Sequence, residues 1–138
     1  MTGEPSPSRR LDALEARFAV ADLAQRYALA VDARDVETFV GLWEPDGTYE
    51  FPEHGVVHRG HVAIRAALEQ VIDRFAQTCH SPGHLVVMPA GEGRLQGWST
   101  VFARVVTSDG TVSTITARYE DEFINTSDGW RFSRRVVN

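Results

Sequence analysis

The stretch LDALEARFAVADLAQRYALAVDARD, residues 11–35, decides the fold, because it has the pattern of one long amphipathic helix. Its apolar residues recur at spacings of three to five, and neither glycine nor proline interrupts them. Such a helix packs its apolar stripe against the rest of a domain. Asp32 follows Val31 near the end of the helix, so its carboxylate is expected at the edge of that stripe. The helix position alone leaves open whether Asp32 is functional, is a solvated residue of the last turn, or interacts with Arg34.

Composition and charge limit the classes of function. The chain has 138 residues, which suffice for one domain with a core of its own. Its formal net charge of -5 argues against nucleic acid or an anionic membrane surface as the main partner. The sequence contains neither a membrane-spanning apolar run nor a secretory signal pattern, so we expect a cytoplasmic protein. The single cysteine, Cys79, excludes an internal disulfide and a cysteine-built zinc site.

Helical patterns dominate the first half of the chain. Residues 1–10 have no apolar periodicity, so we predict a mobile tail outside a single domain formed by residues 11–138. Asp35 can cap a second, shorter helix over residues 36–43. Helical spacing returns over residues 60–77, which predicts a third helix.

Strand patterns dominate the second half. Two short alternating runs, 47–51 and 55–58, predict a small hairpin ahead of the third helix. From Thr78 onward the alternation has a period of two, and turn residues separate strands at about 83–88, 94–107, 111–126 and 130–137. Helices followed by an antiparallel meander indicate an α+β fold, in which three N-terminal helices pack on one curved, mostly antiparallel sheet.

The turn at Asp109–Gly110 determines which side chains are expected to share a face of this sheet. If these two residues form the whole loop, Trp98 and Phe102 lie on the same face as Tyr119. Together with Phe51, these aromatic residues are candidates for the wall of a hydrophobic cavity, and the sequence leaves open which of them face inward.

Among the five histidines, His80 differs from the others. His54, His58 and His61 lie in or near a polar turn and have no compact ligand motif, so we interpret them as surface residues. His80 lies between the third helix and a strand, where helix ends and a sheet edge come together. A lone histidine of this kind can be structural or catalytic, and spacing alone does not bring it to Asp32.

Several short motifs give the chain a resemblance to a known family. They are YALAVDARD in the first helix, FVGLW and DGTY after it, TCH after the third helix, and GWRF near the end. On these motifs the sequence resembles the SnoaL-like branch of the NTF2-like superfamily over about residues 10 to 137. The resemblance implies a cone-shaped, cystatin-like α+β barrel, whose apolar cavity is closed by the helices and floored by the curved sheet.

The resemblance also implies a set of site residues. Tyr27, Asp32 and His80 match the pattern shared by scytalone dehydratase, bile acid 7α-dehydratase and hexachlorocyclohexane dehydrochlorinase. An aspartate that accepts a hydrogen bond from one imidazole nitrogen leaves the other nitrogen as a base, so His80 is the implied base and Asp32 its partner. Tyr27 is the implied catalytic phenol, and Tyr49 and Arg135 are the implied substrate-binding residues.

Some of these roles have alternatives that the residues leave open. Tyr27 is equally suited to the apolar core stripe of the helix. The arginine that relatives carry after the closing tryptophan fits Arg135 better than Arg134. A two-residue loop at Asp128–Gly129 instead pairs Arg135 with Glu122 in a cross-strand salt bridge, and the sequence does not settle which arginine points inward.

Together these features predict a cofactor-independent lyase or isomerase. Its base would remove a proton next to a carbonyl of a hydrophobic cyclic, steroid- or polyketide-like substrate, with dehydration or isomerisation. Scytalone itself is disfavoured, because the second pocket histidine of scytalone dehydratase is replaced by Thr116. The alternatives are a polyketide cyclase that closes a ring by an aldol reaction, a non-catalytic ligand-binding or dimerisation module, and the small subunit of a ring-hydroxylating dioxygenase.

Expectations about cofactors and partners follow from the same features. No phosphate loop, nucleotide fingerprint or metal cluster is visible, so we predict neither a cofactor nor a metal. The expected partner is a small hydrophobic substrate. In this architecture an apolar sheet face is usually covered by a second copy, which predicts a homodimer or homotrimer.

Overall fold

In the computed structural model, which describes residues 3–138, three α-helices pack on a seven-stranded sheet. The elements in chain order are α1 (Pro7–Ala33), α2 (Val36–Gly41), β1 (Trp43–Phe51), a short 3-10 helix (Pro52–His54), β2 (Val56–Arg59), α3 (Gly60–Arg74), β3 (Phe75–Pro82), β4 (Val86–Pro89), β5 (Arg94–Thr107), β6 (Val112–Thr126) and β7 (Gly129–Val137).

The sheet is mostly antiparallel and open. Its strand order is β2-β1-β7-β6-β5-β3, and β4 pairs with β5 beside this path. Only the pairing of β1 with β7 is parallel among the strands that the structure describes. The predicted α+β fold, with helices packed on a curved sheet, is confirmed, and the sheet remains unclosed because β2 and β3 stay at its two edges.

Helix α1 begins earlier than predicted. It starts at Pro7 instead of residue 11, because the Ser6 side chain caps it by accepting a hydrogen bond from the backbone N–H of Arg9, and proline is well tolerated in the first helical turn. Part of the predicted tail is therefore helical, while residues 1–2 lie outside the described residues. At the other end, Arg34 ends the helix in the left-handed conformation, with φ of 58°.

The connections around α2 and α3 differ from the predictions in ways that affect the site. Asp35 caps α2 as expected, and its side chain accepts from the backbone N–H of Thr38. Helix α2 ends at Gly41, so Trp43 opens β1 instead of closing the helix. Helix α3 ends at Arg74, and the next eight residues form β3, a strand that the sequence analysis did not predict. This edge strand has few apolar residues, so it gave no clear alternating signal.

The core lies between the helices and the inner face of the sheet, and it is rich in aromatic rings. Phe39, Trp43, Phe123 and Phe132 are almost fully buried there. Trp43 and Phe132 stack with their ring centroids 5.0 Å apart. The space that the cone-shaped architecture could have left as a cavity is thus partly filled by aromatic side chains.

The register between β5 and β6 differs by one residue from the predicted one. The turn is a three-residue loop, residues 108–110, closed by Thr107 and Thr111 and ending on Gly110 with φ of 85°. A shift of one residue moves side chains to the opposite face of a sheet. Trp98 and Phe102 consequently lie on the outer face, 39% and 52% exposed, and they do not line a cavity as predicted. The predicted homodimer or homotrimer stays a prediction.

Gly97 is a site where added volume is expected to destabilise the fold. A Cβ atom at this position would lie 2.9 Å from Leu85 Cδ1 and 2.9 Å from Phe123 Cε2. Gly97→Ala is therefore expected to lower the free energy of unfolding by about 1–3 kcal/mol in urea denaturation. Gly41→Ala is the matched control, because a Cβ there meets nothing within 4 Å, and it should leave stability unchanged or slightly higher. Equal stabilities of the two variants would contradict the close packing of Leu85 and Phe123 around Gly97.

Candidate active site

The structure brings Asp32 and His80 into direct contact. Asp32 lies in the last turn of α1, and His80 lies on β3. His80 Nδ1 is 2.6 Å from Asp32 Oδ1, and the backbone N–H of His80 donates to Asp32 Oδ2 at 2.8 Å. The Asp32 side chain is 24% exposed and the His80 side chain is 14% exposed, so both are partly shielded but reachable from solvent. Asp32 and His80 therefore form a hydrogen-bonded dyad.

Arg34 helps to hold the two elements of the dyad together. Its guanidinium donates hydrogen bonds to the backbone carbonyls of Phe75 and Ala76, at the start of β3, each at 2.5 Å. The alternative that Asp32 interacts with Arg34 is wrong, because Arg34 turns away to these carbonyls. The end of α1 is thus fixed against the strand that carries His80.

The hydrogen bonds of the dyad define which imidazole nitrogen is free. An ionised carboxylate only accepts hydrogen bonds, so His80 Nδ1 must carry a proton. Across residues 3–138, no protein group hydrogen bonds to His80 Nε2. With Nδ1 protonated and held by Asp32, Nε2 has a free lone pair and can act as a base.

Tyr27 and Tyr49 form a buried hydroxyl pair. The two Oη atoms are 2.5 Å apart, and both residues are less than a tenth exposed. Within the part of the chain that the structure describes, neither hydroxyl is hydrogen bonded to Asp32 or His80. The structure therefore places the hydroxyl of Tyr27, the implied catalytic residue, against that of Tyr49, the implied substrate-binding residue, and not against the dyad.

Arg135 lies in the interior and is held by a buried ion pair. Its Nε and Nη2 atoms donate to the two carboxylate oxygens of Asp121 at 2.7 and 2.8 Å, and both side chains are at most 1% exposed. The alternative pairing of Arg135 with Glu122 does not occur, because the turn is formed by residues 127–128 and the register is shifted by two residues there. A bulge at Ser133 on β7 restores only one of them, which places Arg135 opposite Asp121. Arg134 instead reaches Glu50 on β1, so Arg135 is the inward arginine.

Three aromatic rings surround the Arg135 guanidinium. Its central carbon is 3.9 Å from the ring centroid of Tyr119, 4.2 Å from that of Tyr27 and 4.5 Å from that of Phe132. Burial alone would lower the pKa of Arg135, but the adjacent Asp121 carboxylate raises it above its usual value. One atom of this group, Nη1, is buried without a hydrogen-bond partner in the described structure. An unpaired buried donor is costly, which makes Nη1 a candidate contact for a ligand.

A cleft of about 310 Å³ opens between α1 and the β3–β4 connection. Arg135, Tyr119 and Ser99 contribute polar groups to it. The other lining residues are Phe18, Ala21, Asp22, Ala24, Gln25, Pro82, Gly83, His84 and Leu85. Asp32, His80 and Phe51 do not line the cleft. Thr116 was expected at a pocket position, but it lies exposed on β6.

The contacts of Asp121 and Thr78 were not predicted from the sequence. Asp121 lies two residues from Tyr119 and two from Phe123 on β6, so the period of two already indicated an acid on the inner face. Thr78 donates from Oγ1 to Asp32 Oδ1 at 2.9 Å. Its position two residues before His80 would have placed both side chains on one face of a strand, but β3 was not predicted as a strand.

The comparison with protein families decides the assignment. A family model described as a SnoaL-like domain matches residues 12–136, which is nearly the whole chain. The chain belongs to the SnoaL-like family. The SnoaL-like chain is also 26% identical over 128 residues to an uncharacterized protein of Mycobacterium tuberculosis, and the match covers 87% of this chain and 82% of that protein.

Solved structures with the same fold include enzymes. The SnoaL-like chain is similar to the hexachlorocyclohexane dehydrochlorinase LinA-type3 of Novosphingobium barchaimii LL02, with a TM-score of 0.85, 21% identity, and coverage of 94% of this chain and 89% of that one. It is also similar to a candidate scytalone dehydratase of Novosphingobium aromaticivorans DSM 12444, with a TM-score of 0.83, 20% identity, and coverage of 92% and 85%. At these identities the likeness shows the shared fold alone.

Among residues 3–138, no three histidine, cysteine, aspartate or glutamate side chains come together as a group that could hold a metal ion. In the same range, none of the helices combines the length and the apolar character that crossing a membrane requires.

The tyrosine cluster is expected to make the SnoaL-like domain less stable at alkaline pH. Tyr27, Tyr49 and Tyr119 are the three tyrosines of the chain, and burial is the main cause that raises the pKa of each hydroxyl well above 10. In the unfolded chain these hydroxyls ionise near pH 10. Above that pH the unfolded chain binds fewer protons than the folded one, so folding stability falls as pH rises.

We therefore expect tyrosinate absorbance to stay near zero in the folded protein at pH values above 10, and to rise only when the protein unfolds. The free energy of unfolding should fall by up to about 1.4 kcal/mol per pH unit for each tyrosine. Absorbance and circular dichroism followed in the same alkaline titration measure this. Tyrosinate that forms near pH 10 while the circular dichroism stays native would contradict the buried cluster.

Proposed function

We propose that this SnoaL-like protein is a cofactor-independent lyase or isomerase in which His80 removes a proton next to a carbonyl group. The observation that carries the proposal is the 2.6 Å hydrogen bond between His80 Nδ1 and Asp32 Oδ1, which leaves Nε2 free to accept a proton. When Nε2 takes the proton, the imidazole becomes a cation beside the Asp32 carboxylate, and that contact stabilises the charged state.

Arg135 is suited to stabilise the charge that develops on the substrate oxygen. Its Nη1 donor lacks a partner, and Arg135 and Asp121 together carry no net charge. A neutral carbonyl oxygen can accept a hydrogen bond from Nη1 and become an enolate during proton removal, which a fixed cation stabilises. A ligand carboxylate fits less well, because it would give the buried group an excess negative charge.

In this proposal Tyr27 and Tyr49 act on the position of Arg135. Their hydroxyls bond to one another, and the ring of Tyr27 lies against the guanidinium. The two phenols remain protonated at neutral pH, since burial raises the pKa of each. We therefore assign them to holding the arginine from one side, while His80 carries out the proton transfer.

The cleft supports a compact substrate. His80 and Pro82 lie two residues apart on β3, which is about 7 Å along a strand, and Pro82 is part of the cleft wall. A cavity of about 150 Å³ holds a single benzene ring, so a cleft of about 310 Å³ accommodates one or two rings. A steroid-sized ligand would extend out of the cleft. We propose a cyclic ketone of one or two rings that carries a leaving group such as hydroxyl beside the acidic carbon.

Two of the structures with this fold are named for elimination reactions, a dehydrochlorination and a dehydration. Elimination begins when a base takes a proton from the carbon beside the one that bears the leaving group. The Asp32–His80 dyad supplies such a base, and this agrees with the proposal.

The proposal is tested by proton NMR of small cyclic ketones and β-hydroxy ketones incubated with the protein in deuterated water. The expected result is protein-catalysed loss of the signal from the C–H group next to the carbonyl, with or without departure of the hydroxyl group. A panel of one- and two-ring compounds that bind the protein and show no catalysed exchange would contradict it.

A further inference from the structure

We propose that Thr78 is a positioning residue that fixes the carboxylate plane of Asp32, and through it the orientation of the His80 base. This role rests on the proposed function. Thr78 Oγ1 donates to Asp32 Oδ1 at 2.9 Å, and the same oxygen accepts the 2.6 Å hydrogen bond from His80 Nδ1. The second oxygen, Oδ2, accepts from the backbone N–H of His80 at 2.8 Å. Three donors from one strand therefore hold both oxygens of the carboxylate.

The strand geometry explains why Thr78 reaches the dyad. Thr78 and His80 are two residues apart on β3, so their side chains point to the same face of the strand. One step of the strand alternation therefore places a hydroxyl and an imidazole on the same carboxylate. Threonine is also branched at Cβ, which restricts its χ1 angle and keeps the hydroxyl in place.

Without the threonine hydroxyl, the carboxylate has more freedom. The Asp32 side chain is 24% exposed, so Oδ1 can rotate toward water once one of its donors is removed. Rotation breaks the contact with Nδ1, and the imidazole can then place its proton on Nε2. A histidine with a protonated Nε2 has no lone pair facing the substrate and cannot act as the base.

A merely structural role for Thr78 would be to tie α1 to β3. Arg34 already does this, through its hydrogen bonds to the carbonyls of Phe75 and Ala76. Removal of the Thr78 hydroxyl therefore leaves the connection between helix and strand in place. The effect on the dyad can then be measured separately from an effect on folding.

The test compares Thr78→Val, which keeps the shape and removes the hydroxyl, with Thr78→Ser, which keeps the hydroxyl. Thr78→Ala serves as a second variant without the hydroxyl if the valine variant folds poorly. Nitrogen-15 NMR of the His80 imidazole reports the protonated nitrogen directly and needs no substrate. We expect wild type and Thr78→Ser to keep the proton on Nδ1, and the valine and alanine variants to shift a large part of it to Nε2.

Catalysed deuterium exchange provides the second readout. We expect kcat to fall about tenfold in Thr78→Val with KM unchanged, as for the loss of one hydrogen bond to a charged group, and to recover in Thr78→Ser. A valine variant with the wild-type imidazole spectrum would overturn the role of Thr78. If wild type shows no exchange although the spectra change as expected, the proposed function fails while Thr78 still positions the carboxylate.

Discussion

Replacing Asp121 with asparagine is expected to lower the free energy of unfolding by about 3–5 kcal/mol, because it leaves the charge of Arg135 buried without a counterion. Asp121 and Arg135 are joined by two hydrogen bonds, and both side chains are at most 1% exposed. Water therefore cannot replace the lost carboxylate. Since a domain of this kind is stable by about 5–15 kcal/mol in total, the loss is a large fraction of its stability.

Urea denaturation of the Asp121→Asn variant measures this effect, and Glu37→Gln is the matched control. Glu37 pairs with Arg65 at 2.7 Å, but its side chain is 82% exposed, so loss of that pair should cost at most about 1 kcal/mol. The double variant Asp121→Asn/Arg135→Met should be less destabilised than the sum of its single variants. Similar losses for Asp121→Asn and Glu37→Gln would show that the interior pair is not desolvated as described.

Replacing Asp32 with asparagine is expected to reduce the catalysed proton exchange by about 10²–10⁴-fold, the range typical for loss of acid–base catalysis. The carboxylate accepts from three donors, namely Thr78 Oγ1, the His80 backbone N–H and His80 Nδ1. The amide of asparagine has only one acceptor oxygen, and an NH₂ donor group takes the place of the second carboxylate oxygen. With its oxygen on the backbone N–H, the asparagine presents its NH₂ group to Nδ1, so the imidazole proton moves to Nε2.

Asp46→Asn is the matched control for this experiment, because Asp46 is exposed on β1 and takes no part in the hydrogen bonds of the dyad. It should retain the wild-type exchange rate. Circular dichroism should show that both variants are folded, since Asp32 and His80 are partly exposed and lie outside the aromatic core. An Asp32→Asn variant that keeps the wild-type rate would contradict the role of the carboxylate.

The position of the dyad could be anticipated from the sequence because it depends on local patterns. The spacing of the apolar residues placed Asp32 at the edge of the α1 stripe, and the change of period after α3 placed His80 near a sheet edge. Neither pattern contains the distance between the two residues. The resemblance to the SnoaL-like family supplied their pairing, and the structure provides the 2.6 Å contact.

The details that the sequence could not predict depend on single-residue shifts. A three-residue loop at residues 108–110 moved Trp98 and Phe102 to the outer face, although Asp109–Gly110 also suits a two-residue loop. A turn at residues 127–128 in place of 128–129, together with the bulge at Ser133, made Asp121 and not Glu122 the partner of Arg135. Turn chemistry limits the choices of register, but packing across the whole sheet selects one of them.

Sequence patterns also could not predict that aromatic side chains fill part of the interior. An aromatic residue on the inner face of a strand can line a cavity or occupy it, and the residue type is the same in both cases. Tyr27 illustrates this, because its ring packs against Arg135 and its hydroxyl bonds to Tyr49. Only the three-dimensional arrangement distinguishes a phenol that meets substrate from one that supports an arginine.

The most direct test of the central claim is the rate of deuterium exchange next to the carbonyl of a cyclic ketone, measured for wild type and for His80→Asn under identical conditions. His54→Asn is the control, because His54 is an exposed residue of the short 3-10 helix. The Asp32–His80 base predicts exchange by wild type and His54→Asn, and loss of the catalysed rate in His80→Asn. A His80→Asn variant that exchanges at the wild-type rate would contradict it.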